Sequence, residues 1–284
     1  RHVSDAFRED PVRILRAARF AARFASLGFR VHPDTLALMR EMVEAGEADA
    51  LVAERVWQET ERALGEPRPD VFFEVLRACG ALRVVFPEVD RLFGVPQPER
   101  WHPEIDTGIH VLKCLEQAAV LSSSTATRFA VLTHDLGKGV TPPDRWPSHH
   151  GHEGSGLPLL AALCERLRVP NAHRELAQLV CRQHGNVHRA LELKTTTVLE
   201  LLESSDALRR PERFEEFLLA CEADARGRTG LEGRDYPQRD YLRLCRDSVA
   251  TVALDDAERE RFKGPAFGEA LRRKRLAVLE TLRT

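Results

Sequence analysis

The sequence predicts an all-α protein. Apolar residues recur with the 3.6-residue period of amphipathic helices in eleven segments, and no segment shows the alternation of a half-buried strand. Many of these segments follow Asp, Asn, Ser or Thr or begin with Pro, and several stop at Gly, as helices do. The predicted helical segments are 12–29, 33–46, 53–65, 69–82, 108–121, 127–138, 156–169, 171–184, 195–205, 211–227 and 268–282.

Pro- and Gly-rich connections separate these segments into larger units. They lie at 65–70, 93–108, 137–156 and 227–238. A chain of 284 residues exceeds the usual size of a single core, so two or three compact units are expected. The connections predict an N-terminal helical unit, a central His-rich unit and a C-terminal tail.

Composition limits the class of protein. Apolar residues make up 43% of the chain and charged residues 30%, and no run approaches the roughly 18 apolar residues that a membrane helix needs, so we expect a soluble, cytoplasmic protein. Six scattered cysteines without a C-x-x-C pair predict buried thiols. A formal net charge of -2 means that any nucleic-acid surface must be a local patch.

Histidines cluster in the central unit, where nine of the eleven lie between His102 and His188. Four polar residues interrupt apolar helical runs or lie at their edges: His110, His134, Asp135 and Asp224. Burial of such groups is costly unless they are hydrogen-bonded or bind a metal, so one divalent ion held by all four is the common explanation. Their alternative role is that of hydrogen-bonded core residues.

The remaining polar residues of this unit are candidates for the substrate side of the site. His152 and His184 are expected to add a second metal or to donate to phosphate oxygens, and Lys138 has the charge to neutralise a phosphoryl group. A bound metal lowers the pKa of water and polarises phosphate, so phosphoester hydrolysis is predicted, with His134, Asp135, Lys138 and His152 as catalytic residues. The other histidines are either additional site residues (His149, His150, His188) or structural ones (His102, His173).

A second group of functional candidates lies on the first predicted helix. Arg13, Arg16 and Arg19 recur every three residues and form a stripe about 120° wide on that helix. Such a stripe is either a solvated face or a surface that contacts a nucleotide, because guanidinium groups donate pairwise to phosphate or to a base edge.

The acidic pair before this helix offers two alternatives. Asp10 followed by Pro11 has the pattern of an N-cap and first helical residue, yet a carboxylate here would also accept from the exocyclic amine of cytosine or adenine. Asp10 cannot serve both roles fully, so the cap is alternatively Glu9 or the Asp10 backbone.

The metal candidates resemble the HD superfamily of metal-dependent phosphohydrolases. The family pattern is a His, an adjacent His-Asp pair, further His and a distal Asp, and His110, His134, Asp135 and Asp224 match it in order. The resemblance implies an all-α domain that binds one or two divalent ions and cleaves phosphomonoesters or phosphodiesters.

The N-terminal segment closely resembles the neck of class II tRNA CCA-adding nucleotidyltransferases. The matching residues are "EDPVR" from 9 to 13 and "RAARF" from 16 to 20. Further stretches, including "HDLGKGVTPP" and "EADARGRTG", are similar to bacterial multifunctional CCA proteins, so the resemblance covers essentially the whole chain. It implies an elongated arrangement with a nucleotide-selecting neck at 1–68, a body connection at 69–106, an HD domain at 107–226 and a helical tail at 227–284.

This resemblance implies an activity, partners and cofactors. Asp10 and Arg13 would face the base of CTP or ATP, with Arg16 and Arg19 supporting the geometry of the nucleotide. The HD residues would give 2',3'-cyclic phosphodiesterase, 2'-nucleotidase and phosphatase activity, with Ni²⁺ or another divalent transition metal. Candidate tRNA phosphate contacts are Arg226, Arg228, Arg272, Arg273, Lys274 and Arg275. The basic run at 271–276 is alternatively a solvated helix face.

The family's catalytic head has no counterpart in this sequence. Neither its Gly-Gly loop nor its D-x-D carboxylates, which hold Mg²⁺, is matched, so this chain alone is expected to hydrolyse phosphoesters without adding nucleotides. We expect a monomer or weak homo-oligomer without membrane contact. The alternatives are a stand-alone HD phosphohydrolase of small nucleotides and a non-enzymatic tRNA-binding body.

Overall fold

The computed structural model describes residues 5–283, and within that range it confirms the all-α prediction. It contains α-helices and short 3-10 helices but no strand, and its single β-bridge pairs Pro96 with Asp106. The α-helices are α1 (Val12–Phe24), α2 (Pro33–Glu44), α3 (Ala53–Leu64), α4 (Pro69–Ala78), α5 (Ala81–Val85), α6 (Pro87–Asp90), α7 (Thr107–Leu121), α8 (Thr125–Thr133), α9 (His152–Arg166), α10 (Asn171–His188), α11 (Thr195–Ser204), α12 (Pro211–Arg226), α13 (Pro237–Ala250), α14 (Asp256–Arg261) and α15 (Pro265–Thr281).

Helix bounds differ from the predictions at several places. Helix α9 begins at His152, inside a segment predicted as a connection. The prediction missed the first turn because two glycines and Pro158 lie in it or just after it. Helix α8 ends at Thr133, and the residues after it form a 3-10 turn at Leu136–Val140. Helix α13 was not predicted, since only a narrow stripe of its residues is buried: Leu242, Cys245 and Val249.

Two groups of helices form the core. Helix α1 packs against α3 and α4, and its residues Leu15, Ala18 and Ala22 are all fully buried. Helices α7, α8, α10 and α12 pack against one another, and the metal candidates lie among them. All six cysteines are buried free thiols, as predicted. Within the described residues, no helix combines the length and apolarity needed to cross a bilayer.

Arg128 connects the two groups. Its buried guanidinium donates to the carbonyl oxygens of Leu64 and Glu66, at 2.5 and 2.9 Å, and to those of Ala119 and Ser122, at 3.2 and 2.9 Å. It therefore supplies donors to carbonyls at the ends of α3 and α7 that those helices leave without partners.

Two close approaches between backbones bring the functional residues together. A side chain at Gly137 would overlap the carbonyl oxygen of His152, so glycine lets α9 pack against the 3-10 turn after α8. A side chain at Gly227 would overlap Cys114, so the end of α12 lies directly on α7. The first contact places α9 beside the His-Asp pair, and the second places Asp224 beside His110.

Candidate metal centre

The four residues of the predicted metal set converge. His110 of α7 contacts Asp224 of α12, with 3.0 Å between Nε2 and Oδ1. His134 Nε2, at the end of α8, lies 3.2 Å from Oδ2 of Asp135 and 3.6 Å from Oδ2 of Asp224. All four side chains are essentially buried. The helical bundle thus brings two imidazoles and two carboxylates together, and His110, His134 and Asp135 offer ligand atoms within 4.8 Å of one another.

The two additional candidates lie on the other side of Asp135. His152 Nε2 at the start of α9 is 3.3 Å from Asp135 Oδ1, and His184 Nε2 in α10 is 3.7 Å from the same oxygen. Their own Nε2 atoms are 3.1 Å apart. Asp135 therefore lies between two groups of imidazoles, as a carboxylate bridging two metal ions would.

Backbone carbonyls orient three of these rings. The Nδ1 atoms of His134, His152 and His184 lie 2.7 to 3.0 Å from carbonyl oxygens three or four residues earlier in the chain. A carbonyl only accepts, so each Nδ1 donates and each neutral ring presents the lone pair of Nε2 to the centre. This is the tautomer that metal-binding histidines require.

Unpaired polar atoms in the centre fit a bound cation. With both Nδ1 atoms donating, the neutral rings of His152 and His184 would face each other with two lone pairs, which repel unless a proton or metal ion lies between them. His134 Nε2 and both carboxylate oxygens of Asp135 are buried without a hydrogen bond of acceptable geometry. Buried atoms of this kind call for an ion or water, and nitrogen and oxygen donors together suit a divalent transition metal.

The electrostatic field of the centre also favours positive charge. Burial alone would lower the pKa of His134, but the charges of Asp135 and Asp224 outweigh it and raise that pKa to about 9. Burial and the positive charge of His134 lower the pKa of His184 to about 3. The pKa values of both carboxyl groups lie well below the ordinary value, because contacts with the imidazoles outweigh burial. The same field would favour a divalent cation.

Lys138 lies in the centre as predicted. Its ammonium is 2.7 Å from Asp135 Oδ2 and donates to Gln97 Oε1 at 2.6 Å. Only about a tenth of its side chain is exposed, so the charge is held in place rather than free in solvent. Gln97 was missed in the sequence because it is an isolated polar residue in the connection before α7.

Glu104 is a second residue that the sequence analysis missed. Its Oε1 lies 2.8 Å from His110 Nδ1 and 3.3 Å from His102 Nδ1, while Oε2 accepts from the backbone N–H of Thr229 at 3.1 Å. These bonds hold the Glu104 pKa below its ordinary value, although burial opposes the shift. A carboxylate on Nδ1 fixes the ring of His110 with Nε2 toward the centre. The sequence feature that could have indicated Glu104 was its position six residues before His110.

His188 and Tyr236 extend the site behind Asp224. His188 Nε2 lies 2.6 Å from Asp224 Oδ2, and the hydroxyl of Tyr236 lies 2.8 Å from His188 Nδ1. Because a carboxylate only accepts, Nε2 donates to Asp224 and the tyrosine donates to Nδ1. No pattern in the sequence marked Tyr236, which precedes the unpredicted helix α13.

The other histidines have structural partners or are exposed. His149 is buried, with Nδ1 2.9 Å from Thr141 Oγ1 and Nε2 2.9 Å from the carbonyl oxygen of Pro96. His150 is exposed. His173 lies 3.0 Å from Thr125 Oγ1, consistent with the structural role expected for it.

The arginine stripe of α1 does not form one exposed face. Arg16 is exposed and Arg13 is partly exposed, 3.4 Å from Glu9. Arg19 is buried and pairs with Glu59 at 2.7 Å and with Glu66 at 3.4 Å. The expected convergence of three arginines on one surface is therefore wrong, because carboxylates of neighbouring segments draw the third into the core.

Asp10 has two partners. Its Oδ1 accepts from the backbone N–H of Val12, the first residue of α1, at 3.0 Å, although the N-cap position itself is Pro11. Its Oδ2 lies 2.6 Å from Arg55 of α3, and the hydrogen bond from Arg55 lowers the pKa of Asp10. Arg55 was not among the predicted residues.

The candidate tRNA contacts are of mixed accessibility. Arg226, Arg272 and Lys274 form ion pairs with glutamates. Arg273 is exposed, and Arg275 is partly buried. Arg228 lines the cleft outside the metal centre.

Family models match two parts of the chain. Residues 28–93 match the probable RNA and SrmB-binding site of polymerase A, and residues 107–226 match the HD domain. All residues of the predicted metal set lie in the second match. Glu104 and Tyr236 lie outside it.

Curated relatives match the chain over almost its whole length. It is 64% identical to the Multifunctional CCA protein of Thioalkalivibrio sulfidiphilus over 100% of this chain and 69% of the relative. The proteins of the same name from Methylococcus capsulatus and Nitrosococcus oceani are 59% and 61% identical, over 100% and 99% of this chain and 67% and 68% of theirs.

Two solved structures share the fold. They are described as complexes of a CCA-adding enzyme with CTP and with ATP, and their TM-scores to this chain are 0.60 and 0.58 at 16% identity. Each match covers 98% of this chain but only 57% of the solved chain.

Proposed function

Because the chain belongs to the multifunctional CCA protein family, we propose that it provides nucleotide and tRNA recognition for CCA addition and a phosphohydrolase site in the HD domain. Within this proposal the neck spans 1–68, the body connection 69–106, the HD domain 107–226 and the tail 227–284. The chain covers about two thirds of its curated relatives. By the resemblance, the D-x-D carboxylates that would bind Mg²⁺ for nucleotide transfer belong to the family's head.

Hydrolysis of phosphoesters is the activity that the HD site supports best. The observation that carries it is the convergence of imidazoles and carboxylates from α7, α10, α12, the end of α8 and the start of α9, where His134 Nε2 is buried without a hydrogen bond. His110, His134, Asp135 and Asp224 would hold one ion, and Asp135, His152 and His184 a second. When bound, a divalent ion such as Ni²⁺ would polarise the phosphate and lower the pKa of water.

The protein's own groups have distinct roles in this proposal. Lys138, held by Asp135 and Gln97, would neutralise charge on the phosphoryl oxygens. Glu104 and His188 would orient His110 and Asp224 through hydrogen bonds. The substrates are proposed to be 2',3'-cyclic nucleotides, 2'-nucleotides and other phosphomonoesters, and the site gives the protein cyclic phosphodiesterase, 2'-nucleotidase and phosphatase activities.

Metal analysis combined with hydrolysis assays tests this activity. We expect the purified chain loaded with Ni²⁺ to hydrolyse 2',3'-cyclic AMP and 2'-AMP, and His134→Ala and Asp135→Ala to lose both bound metal and hydrolysis. His32→Asn, which keeps a polar cap on α2 far from the centre, is the control. If the two alanine variants retain the metal content and rate of the native chain, the HD site is not the catalytic centre.

Nucleotide selection is assigned to the start of α1. Asp10 and Arg13 would contact the base, Arg16 would contact the nucleotide from its exposed position, and Arg19 would position the helix through Glu59. The pair of Asp10 with Arg55 holds the carboxylate at the surface, and the lone pairs that Val12 and Arg55 leave free would accept from the base. The test is incorporation of labelled CTP and ATP into tRNA lacking CCA, by the protein with the family's head attached. Arg13→Ala should reduce incorporation and Arg23→Ala should not.

Recognition of tRNA is proposed for the RNA-binding segment and the basic residues of the tail. Arg273 is the best placed of these, because it is exposed and the other basic residues near it are mostly paired. Contacts with phosphate weaken steeply as salt rises. Affinity for tRNA that stays flat between low and physiological salt would remove these residues from the proposal.

A further inference from the structure

The metal centre opens into a cleft of about 610 Å³ whose lining includes Trp101, Lys138, His152 and Arg228. This volume lies within the range of about 300–1,000 Å³ found for small-molecule sites. Two of these residues, Trp101 and Arg228, have no role in holding the centre together. Their chemistry is that of groups that bind a base and a phosphate.

Arg228 is an arginine without a carboxylate partner. Among residues 5–283 no acidic side chain lies within ion-pair distance of its guanidinium, whereas Arg226, two residues earlier, pairs with Glu222 at 2.7 Å. The Arg228 Nε is buried and has no hydrogen-bond partner. Arg228 lines the cleft, and a guanidinium without a carboxylate partner can bind a phosphate there through two parallel bonds.

The position of Arg228 is fixed relative to the metal centre. It lies four residues after Asp224, just past the end of α12, and the next residue, Thr229, donates its backbone N–H to Glu104, which contacts His110. Arg228 is therefore held at the edge of the metal centre by Glu104, which also orients the candidate ligand His110. A phosphate bound there would lie beside the metal candidates and Lys138.

Trp101 lies at the tip of a loop that is anchored on both sides. The backbone bond from Gln97 to Ile105, at 2.7 Å, closes the loop, and Gln97 and Glu104 attach it to Lys138 and His110. The ring of Trp101 is 56% exposed, and Arg100 lies 4.8 Å from its centroid. A large exposed aromatic ring on an anchored loop beside a phosphate-binding group is suited to stack on a base.

We propose that this cleft binds the substrate as a nucleoside phosphate, with Arg228 contacting the phosphate and Trp101 stacking against the base. The proposal rests on the phosphohydrolase function above and adds two specificity-determining residues to it. A phosphoester without a base would use Arg228 but gain little from Trp101.

The first test compares 2'-AMP with glycerol 2-phosphate, two phosphomonoesters of which only one carries a base. Trp101→Ala should lower the ratio of kcat/KM for 2'-AMP to that for glycerol 2-phosphate about tenfold, the order expected for one base stack, and Trp101→Phe should restore most of it. Arg228→Met should raise KM for both substrates about tenfold or more. Arg234→Met, an exposed arginine outside the cleft, is the control.

The second test measures binding without hydrolysis. Tryptophan fluorescence of the metal-free chain should be quenched by 2'-AMP, and the quenching should be lost in Trp101→Ala and shifted to higher concentration in Arg228→Met. The inference is wrong if Trp101→Ala lowers kcat/KM equally for both substrates. It is also wrong if Arg228→Met binds 2'-AMP as the native chain does. Failure of the native, metal-loaded chain to hydrolyse either substrate would count against the proposed function, and this titration would still decide the binding site.

Discussion

Arg19 of α1 and Glu59 of α3 form a buried ion pair, with 2.7 Å between Nε and Oε2. Both side chains are at most about a tenth exposed, and Arg62 also contacts Glu59 at 3.3 Å. The pair joins the proposed nucleotide-selecting helix to the rest of the neck. It makes the orientation of that helix depend on charges inside the protein.

Removal of Arg19 should therefore destabilise the neck. Arg19→Met leaves Glu59 buried with one weaker partner, and loss of one member of a buried pair costs about 3 kcal/mol or more. Urea denaturation should show this loss, while Arg16→Met, at an exposed position of the same helix, should change stability by less than about 0.5 kcal/mol. A double variant Arg19→Met/Glu59→Met should recover part of the loss. Equal effects at positions 16 and 19 would contradict the buried pair.

Glu104 should control metal affinity through its contact with His110, although it is not itself a proposed metal ligand. Glu104→Gln keeps the shape of the side chain but weakens its bond to His110, so the affinity for Ni²⁺ should fall about 10- to 100-fold. Titration against a chelator of known affinity measures this change. Glu99→Gln, an exposed carboxylate on the same loop, is the matched control and should bind metal as the native chain does.

Tyr236 should stabilise the centre from outside the HD match. Tyr236→Phe removes the hydroxyl that donates to His188 and leaves a buried nitrogen unpaired, which costs about 1–3 kcal/mol. We expect a lower melting temperature and weaker metal binding from the same variant. Tyr241→Phe removes a hydroxyl from the other tyrosine of the chain and should leave metal binding unchanged. Metal affinity that is the same in both variants would show that His188 does not orient Asp224.

Gly137 should be required for the position of α9. Gly137→Ala forces a methyl group against the carbonyl oxygen of His152, and overpacking of this kind costs about 1–3 kcal/mol. Because the strain falls on His152, metal affinity should decrease together with stability. Gly154→Ala is the control, since a side chain there meets nothing within 4 Å. It should be neutral or raise stability by about 0.5 kcal/mol because alanine favours helix.

The contact between α12 and α13 should respond to acid through Glu215. Burial would raise its pKa, but hydrogen bonds from Arg243 and Arg239 outweigh burial and lower it. A carboxyl group with a lowered folded pKa stabilises the protein above its unfolded pKa of about 4.3, and that contribution is lost as pH falls through the folded pKa. Glu215→Gln should therefore be less stable than the native chain by about 2 kcal/mol at pH 7. The denaturation curves of Glu215→Gln and of the native chain should converge below about pH 4. A stability difference between them that stays constant with pH would contradict this assignment.

The sequence by itself determined the fold class and the principal metal candidates. Helical periodicity is local, so it was readable without knowing which helices touch, and His110, His134, Asp135 and Asp224 stood out because each interrupts an apolar helical run. The polar residues that it missed, Gln97 and Glu104, lie in a Pro-rich connection where polar side chains are common, so neither stood out as functional.

Tertiary structure alone decided which side chains these ligands contact and which arginines are free. Arg13, Arg16 and Arg19 have the same spacing, yet only Arg19 is buried, because α3 places Glu59 beside it. Arg226 and Arg228 are both basic and two residues apart, yet only Arg226 has a carboxylate partner within residues 5–283. The physical reason is that burial and ion pairing depend on neighbours distant in sequence. At Gly137 and Gly227 the site also depends on close approaches that leave no room for a side chain.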